Sequence, residues 1–223
     1  MWLLHQFPLC PFSRKVRLCL GEKGVAYDLI VERPWEMRDE FQDLNPASET
    51  PVLVDPDKGI TLIDSTAICE YFEETVERSP LLAGPALQRA EARRLVAWLD
   101  HHFYGLAVHP MMTERLRKRL DRQTPDAGAI REAMRWTNRQ LDYLDYLLDH
   151  RAWLAGPRLS LADLTAAAHL SVADYLGAVD WRAHEPLRRW YSGLKSRPSF
   201  RPLLAERMSP VDPPKHYDKV DFD

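Results

Sequence analysis

The spacing of apolar residues changes near the start of the chain. The short run Trp2-Leu3-Leu4 predicts a strand. After it, apolar positions fall at i, i+4, i+7 and i+8, as on one face of a helix, and they are Phe12, Val16, Cys19 and Leu20. Pro11 suits the first turn of that helix, because its missing N–H would have no partner there. The pattern therefore predicts a strand, a tight turn and a helix that starts beside Cys10.

Strand patterns and turn residues continue to about residue 78. Residues 27–31 alternate loosely and predict a second strand, and the apolar residues 52–54 predict a third. Residues 55–59 have the composition of a hairpin turn, from which residues 60–63 return as a fourth strand. Ser65 is placed to cap the helix that follows. Residues 1–78 are therefore predicted to form a small mixed α/β domain.

The remainder of the chain has a helical pattern. Residues 79–85 are rich in proline and glycine and predict a linker, and helical spacing over residues 86–208 predicts an all-α bundle. Within that bundle, Ser160 and Asp163 have the spacing of a capping box. Residues 209–223 contain three prolines and predict an extended tail.

Composition and charge exclude several classes of function. The 223 residues carry a net charge of −3, which gives no electrostatic reason to expect binding to nucleic acid. No apolar stretch approaches the length of a membrane span. Three widely spaced cysteines do not form a disulfide framework, and no cluster of side chains has convincing metal-ligand spacing. We therefore expect a cytoplasmic protein that binds no metal.

Cys10 is the candidate reactive group. At the start of a helix, its thiol would face unpaired backbone N–H groups and the positive end of the helix dipole, and both favour the thiolate. Free cysteines are more commonly buried apolar residues, which is the role that we expect for Cys19 and Cys69. Ser13 stands where the second thiol of a Cys-x-x-Cys pair would be. Cys10 could therefore only form a mixed disulfide with an external thiol, or assist an external thiolate.

Three motifs, taken in this order, resemble the thioredoxin-like domain of glutathione transferases. They are Cys-Pro-Phe-Ser at residues 10–13, Asn-Pro at 45–46 followed by Thr-Pro-Val-Leu at 50–53, and Asp-Ser-Thr-Ala-Ile at 64–68. Residues 153–164, with Trp-Leu-Ala-Gly before the capping box, are similar to the core helix of the family's α-helical domain. The resemblance extends to about residue 208 and implies the glutathione transferase fold and a homodimer.

The resemblance also implies a glutathione site. Pro51 would be a cis proline and would present the backbone of Val52 to the cysteinyl part of glutathione. Asp64 and Ser65 would receive the γ-glutamyl end, and Phe12 would be a further residue of the site. A helix N-terminus with a Ser hydroxyl suits a carboxylate, which is consistent with that assignment.

Two hypotheses of function follow from the resemblance. The first is a glutathione-dependent transferase or thiol transferase that uses Cys10, with glutathione as its cofactor. Glu49 is unfavourable for this hypothesis, because many relatives have a neutral or basic residue at that position, close to the glycyl carboxylate of glutathione. Two carboxylates at that distance repel each other. The second is a non-enzymatic adaptor that requires no cofactor. The N-terminal motif and the Pro-Pro-x-His-Tyr…Asp-Phe tail resemble a cell-division branch of the superfamily, which implies binding to filaments of the tubulin-like GTPase FtsZ at the division site.

Candidate contacts with a partner lie in one loop and in the tail. Trp35 is either an anchor for its loop or an exposed contact. In the tail, Tyr217 and Phe222 would be aromatic anchors, with Asp221 supplying charge complementarity to FtsZ or to a further division protein. The alternative is a terminus that is disordered or packed back on its own protein. A docking tail could be removed without loss of stability.

Overall fold

The N-terminal lobe is a mixed sheet with helices packed against it. Its strands are β1 (Trp2–Gln6), β2 (Tyr27–Val31), β3 (Val52–Asp55) and β4 (Ile60–Ile63). They lie in the order β2-β1-β3-β4, with β1 parallel to β2, and β3 antiparallel to both of its neighbours. Its helices are α1 (Pro11–Lys23), α2 (Asp39–Leu44) and α3 (Ser65–Thr75), with a 3₁₀ turn at Pro34–Glu36. The computed structural model describes residues 1–221 of the chain.

The C-terminal lobe is helical, so the predicted α/β lobe followed by an all-α lobe is confirmed. Its helices are α4 (Ala86–Trp98), α5 (His109–Met112), α6 (Lys118–Leu120), α7 (Ala127–His150), α8 (Leu161–Tyr175), α9 (Glu185–Lys195) and α10 (Arg201–Leu204). Between α4 and α6 the backbone stays helical, with wider π-helical turns at Leu99–Val108 and Thr113–Arg117. The wide turns lie on both sides of Pro110, which has no N–H for the regular helical bond. No helix within residues 1–221 combines the length and the apolar character that a bilayer span requires.

Helix α8 forms the centre of the core, and all of its residues are buried. Its small residues at positions 166–168 allow α1 of the other lobe to pack directly on it. The predicted capping box is present, because the Asp163 carboxylate accepts bonds from the N–H of Ser160 at 2.9 Å and from its hydroxyl at 2.7 Å. Burial raises the pKa of Asp163 to about 6, although its hydrogen-bond donors act in the opposite direction.

The helix starts of the N-terminal lobe agree with the prediction at α1 and differ at α3. Cys10 is the N-cap of α1, and Pro11 is its first residue, as predicted. At α3 the prediction of Ser65 as the N-cap was wrong, because Asp64 occupies that position. Oδ1 of Asp64 accepts bonds from the N–H groups of Thr66 at 2.8 Å and Ala67 at 2.9 Å. A short carboxylate one residue earlier thus satisfies the N–H groups of the first turn.

The tail folds back onto the protein, contrary to the predicted extended conformation. Tyr217 is 0% exposed, so it cannot serve as an anchor for a partner in this conformation. Its ring packs edge-on against Tyr175, and its hydroxyl donates to the carbonyl oxygen of Leu203 at 3.1 Å. Burial of the Tyr217 ring is favourable because the ring leaves water while its hydroxyl keeps a hydrogen bond. Asp221 is exposed, and Phe222 lies outside the described residues.

Candidate functional site

A cleft of about 910 Å³ opens between the two lobes. Aromatic side chains from both lobes form much of its wall. Phe7 and Trp35 meet edge to face in the N-terminal lobe, with ring centroids 5.0 Å apart. Phe12 and Tyr104 make the same kind of contact between the lobes at 4.6 Å. The cleft is therefore large enough for a small organic molecule and has mainly apolar walls.

The cleft brings together most of the site residues that the sequence predicted. The lining residues include Cys10, Phe12, Trp35, Glu49, Pro51, Asp64 and Ser65. The Thr50-Pro51 peptide bond is cis, as the resemblance implied. The side chain of Val52 is buried and does not line the cleft, and the contact of its backbone with glutathione stays a prediction. Residues 10–12, 49–51 and 64–65 therefore meet at one place, although the chain separates them widely.

Cys10 is nearly buried at the edge of the cleft, with 8% of its surface exposed. Its thiol donates a weak hydrogen bond to the carbonyl oxygen of Thr50, over 3.5 Å. The sulfur makes no capping bond to the N–H groups of α1. The contact with Thr50 uses the thiol proton, whereas a thiolate would turn to the helix N–H groups. An activated thiol at Cys10 therefore stays a prediction.

A buried ionic network lies behind the cleft and joins the lobes. Nζ of Lys15 donates to Oδ2 of Asp100 at 2.5 Å and to Oγ1 of Thr66 at 3.0 Å. Nε2 of His169 lies 2.9 Å from Oδ1 of the same aspartate. Burial by itself would raise the pKa of Asp100, but the His169 bond and the Lys15 charge outweigh it and lower the pKa. The network therefore holds an ionised carboxylate between α1, α3 and α8.

Sequence reasoning missed Lys15, Asp100 and His169. Burial lowers the pKa of His169, although its bond to Asp100 acts in the opposite direction, so the ring is neutral near pH 7. No spacing rule connects positions 15, 100 and 169. The only signal in the sequence was a lysine in a helix predicted to pack in the core, because a buried lysine needs a partner of opposite charge. Tyr104 was also missed, and burial raises the pKa of its hydroxyl, with smaller contributions in the same direction from Cys10 and Glu49.

Trp35 is half-buried and connects the lobes across the mouth of the cleft. Its ring contacts Phe7 on one side, and Cζ of Arg117 lies 4.4 Å from the ring centroid on the other. Nε of Arg117 also donates to Oδ2 of Asp121 at 2.6 Å. Trp35 therefore anchors its loop, and its remaining exposed surface lies at the rim of the cleft.

Two family models match the chain. The glutathione S-transferase N-terminal domain matches residues 9–75, and the C-terminal domain of the same family matches residues 101–198. The chain therefore belongs to the glutathione S-transferase family.

Individual relatives include both a division protein and enzymes. The chain is 46% identical to FtsZ-localized protein A of Caulobacter vibrioides over 98% of this chain and 97% of that protein. It is 30% identical to a maleylacetoacetate isomerase of Pseudomonas aeruginosa over 85% of this chain and 89% of that one. Among solved structures, FzlA from C. crescentus matches with a TM-score of 0.96, 45% identity and 99% coverage of both chains. A glutathione S-transferase from Rhodospirillum rubrum F11 also has a TM-score of 0.96, with 46% identity and full coverage of both.

Two carboxylates in the cleft have no ion-pair partner among the described residues. Within residues 1–221, neither Glu49 nor Asp64 forms an ion pair, whereas the arginines that line the cleft are paired. Nε of Arg93 lies 2.7 Å from Oε1 of Glu70, and Arg117 is bonded to Asp121. Glutathione carries a carboxylate at each end and an ammonium group at its γ-glutamyl end. In the orientation that the resemblance implies, the ammonium group would lie near Asp64, but the glycyl carboxylate would lie near Glu49, and both arginines that line the cleft are already paired. No group of side chains in the described part of the chain is arranged to hold a metal ion.

Proposed function

We propose that this protein is a non-enzymatic regulator of bacterial cell division that binds FtsZ filaments at the division site in the cytoplasm. The observation that carries the proposal is the 46% identity to FtsZ-localized protein A over almost the whole of both chains. The identity to the isomerase is 30% and covers less of either protein. The match covers 98% of this chain and 97% of the division protein, so it extends over both lobes.

The chemistry of the cleft supports a role without glutathione. Glu49 repels the glycyl carboxylate, and the proton of Cys10 is engaged by the carbonyl of Thr50. Trp35 and Asp221 keep exposed surface and are the partner contacts in this proposal. The contribution of Phe222 stays a prediction. A further division protein could use Asp221 if FtsZ contacts only the folded lobes.

Co-sedimentation with FtsZ tests the proposal directly. FtsZ polymerised with GTP should carry the full-length protein into the pellet in a saturable manner, and FtsZ kept unpolymerised with GDP is the control. A fluorescent fusion in cells should localise to the FtsZ ring. If the protein stays in the supernatant at all FtsZ concentrations and is diffuse in cells, the proposal is wrong.

The second candidate function is a glutathione-dependent transferase or thiol transferase that uses Cys10. Membership of the family and the position of Cys10 in the cleft favour it. Calorimetric titration with glutathione distinguishes the two functions, because the adaptor should show no binding at millimolar glutathione. For a thiol transferase, Cys10→Ser should abolish turnover, and Cys69→Ser, which changes a buried core thiol, should retain it.

The adaptor is proposed to act as a homodimer, as the family resemblance implies. A twofold pair presents each partner contact twice, which raises the avidity for a filament of repeating subunits. Sedimentation equilibrium should give twice the chain mass of 25.9 kDa. A single species of the chain mass at micromolar concentration would contradict this part of the proposal.

A further inference from the structure

Two unpaired carboxylates lie at the same end of the β3–β4 hairpin. Val52 of β3 is paired with Ile63 of β4, so the residues just before Val52 and just after Ile63 lie at one edge of the sheet. Glu49 precedes Val52 by three residues, and Asp64 follows Ile63 directly. Both line the cleft between the lobes, and neither forms an ion pair within residues 1–221. The cleft therefore has two separate points of negative charge.

The other charges around the cleft cancel locally. Asp100 is neutralised by Lys15, Glu70 by Arg93, and Arg117 is paired with Asp121 and stacked on Trp35. Nδ1 of His109 lies 3.2 Å from the hydroxyl of Tyr104. Glu49 and Asp64 are therefore the lining carboxylates that no side-chain cation neutralises, and they favour a cationic ligand. Oδ1 of Asp64 is occupied by the N–H groups of α3, which leaves Oδ2 for the ligand.

Ser65 provides an independent indication that a polar ligand belongs in the cleft. The residue is only 4% exposed and lines the cleft, and its hydroxyl has no hydrogen-bond partner among the described residues. The hydroxyl oxygen is not enclosed by protein atoms, so its bonding capacity is open to water or to a ligand in the cleft. Its oxygen can accept a bond from an ammonium group that also contacts its neighbour Asp64.

The aromatic walls are suited to the same kind of ligand. Phe7, Phe12, Trp35 and Tyr104 line the cleft, and the faces of such rings attract ammonium groups. The same rings pack well against a chain of methylene groups. A ligand with apolar carbon between positive ends would therefore use both the walls and the carboxylates.

We propose that the cleft binds a linear aliphatic diamine or polyamine, with one ammonium group at Glu49 and another at Asp64 and Ser65. The methylene chain between them lies along the aromatic walls. The site shares the Trp35 ring with the proposed contact with FtsZ, but Glu49, Asp64 and Ser65 take no part in that contact. Amine binding and co-sedimentation with FtsZ can therefore fail independently. Glutathione carries two carboxylates and only one ammonium group, so it binds less tightly than the diamine in the same cleft.

Calorimetric titration of the full-length protein with matched amines tests the number of contacts. Butane-1,4-diamine and butylamine have the same carbon chain but differ by one ammonium group. We expect the diamine to bind about tenfold more tightly at physiological salt, because a second charged hydrogen bond typically contributes that much. Equal affinity for the two amines, or tighter binding of glutathione than of the diamine, would overturn the proposal.

Three variants with the same change of charge locate the binding site. Glu49→Gln and Asp64→Asn should each reduce the affinity for the diamine to that for butylamine. The amide oxygen of Asn can still cap α3, so the second variant should keep its fold. Glu74→Gln removes an exposed carboxylate of α3 that does not line the cleft, and it should leave the affinity unchanged. An equal loss in all three variants would show a non-specific attraction to the acidic protein and would refute the site.

Discussion

Nη1 of Arg14 lies 3.0 Å from the hydroxyl oxygen of Tyr217, which is 203 residues further along the chain. The guanidinium of Arg14 is fully buried, and Nη1 also donates to Oγ of Ser171 in α8 at 2.8 Å. Its Nη2 lies 2.9 Å from Oε2 of Glu206, which also pairs with Arg17. One buried cation therefore connects the first helix of the chain with the central helix and the tail.

Truncation after Ser209 should destabilise the protein. It removes the buried side chains of Val211 and Tyr217 and leaves Arg14 without one of its acceptors. Loss of a large buried aromatic side chain costs about 3–5 kcal/mol, so we expect a clear fall in the midpoint of urea unfolding.

Tyr217→Phe is the matched variant for the truncation. It keeps the ring in place and removes only the hydroxyl, so its cost should be about 1–3 kcal/mol. Asp221→Asn changes an exposed residue of the same segment and should leave the midpoint unchanged. A truncated protein as stable as the full chain would show that the tail does not pack as described.

The sequence allowed the two lobes, the start of α1 and the capping box of α8 to be predicted, because local rules determine each of them. The position of the tail could not be predicted in the same way. Three prolines indicated an extended segment, but the burial of Tyr217 depends on Arg14, which lies far away in the chain. The motifs at residues 10–13, 50–53 and 64–68 resemble those of a known family, and that resemblance implied that their residues share one site. The network of Lys15, Asp100 and His169 depends on helix packing, which no motif records.

Removal of Asp100 should destabilise the junction between the lobes. In Asp100→Ala, the buried ammonium of Lys15 keeps only the Thr66 bond, and Nε2 of His169 loses its acceptor. An unpaired buried charge typically costs about 3–5 kcal/mol. We expect the double variant Lys15→Met/Asp100→Ala to lose less than the sum of the two single changes, as measured by urea unfolding. Additive losses would contradict a direct interaction of the pair.

The exposed side of Trp35 should contribute to the binding of FtsZ filaments. Trp35→Ala should reduce co-sedimentation about tenfold or more, because aromatic contacts dominate many interfaces. Trp136→Ala is a suitable control, since Trp136 is also half-buried and lies near a single arginine, with Cζ of Arg139 at 5.6 Å from its ring centroid. Equal co-sedimentation of the two variants would exclude Trp35 as a partner contact. Thermal melting of both variants checks that the fold is retained.

The stability of the protein should rise between about pH 8 and pH 10 through Lys195. Burial lowers the pKa of Lys195 to about 8, although the charges of Asp174 and Asp218 act in the opposite direction. The unfolded chain keeps the ordinary lysine pKa of about 10.4 and therefore binds more protons than the folded chain in this range. The difference in proton binding makes the free energy of unfolding increase with pH.

A comparison with Lys195→Met isolates this contribution. Urea unfolding of both proteins across that pH range should show a smaller increase for the variant. The Tyr191 and Tyr217 side chains, which lie near the ammonium, have pKa values that are raised mainly by burial, so they stay protonated there. If the free energy of unfolding depended on pH in the same way in both proteins, burial would not lower the pKa of Lys195.

The bond between Arg14 and Tyr217 has a consequence for synthesis on the ribosome. The N-terminal lobe emerges first and can begin to fold, but Ser171, Glu206 and Tyr217, which complete the burial of Arg14, are translated more than 150 residues later. Until Tyr217 has emerged, the guanidinium lacks this partner, so the nascent chain has less than its final stability. A stop codon between positions 210 and 217 would therefore yield a weakened protein, even though both lobes had been made in full.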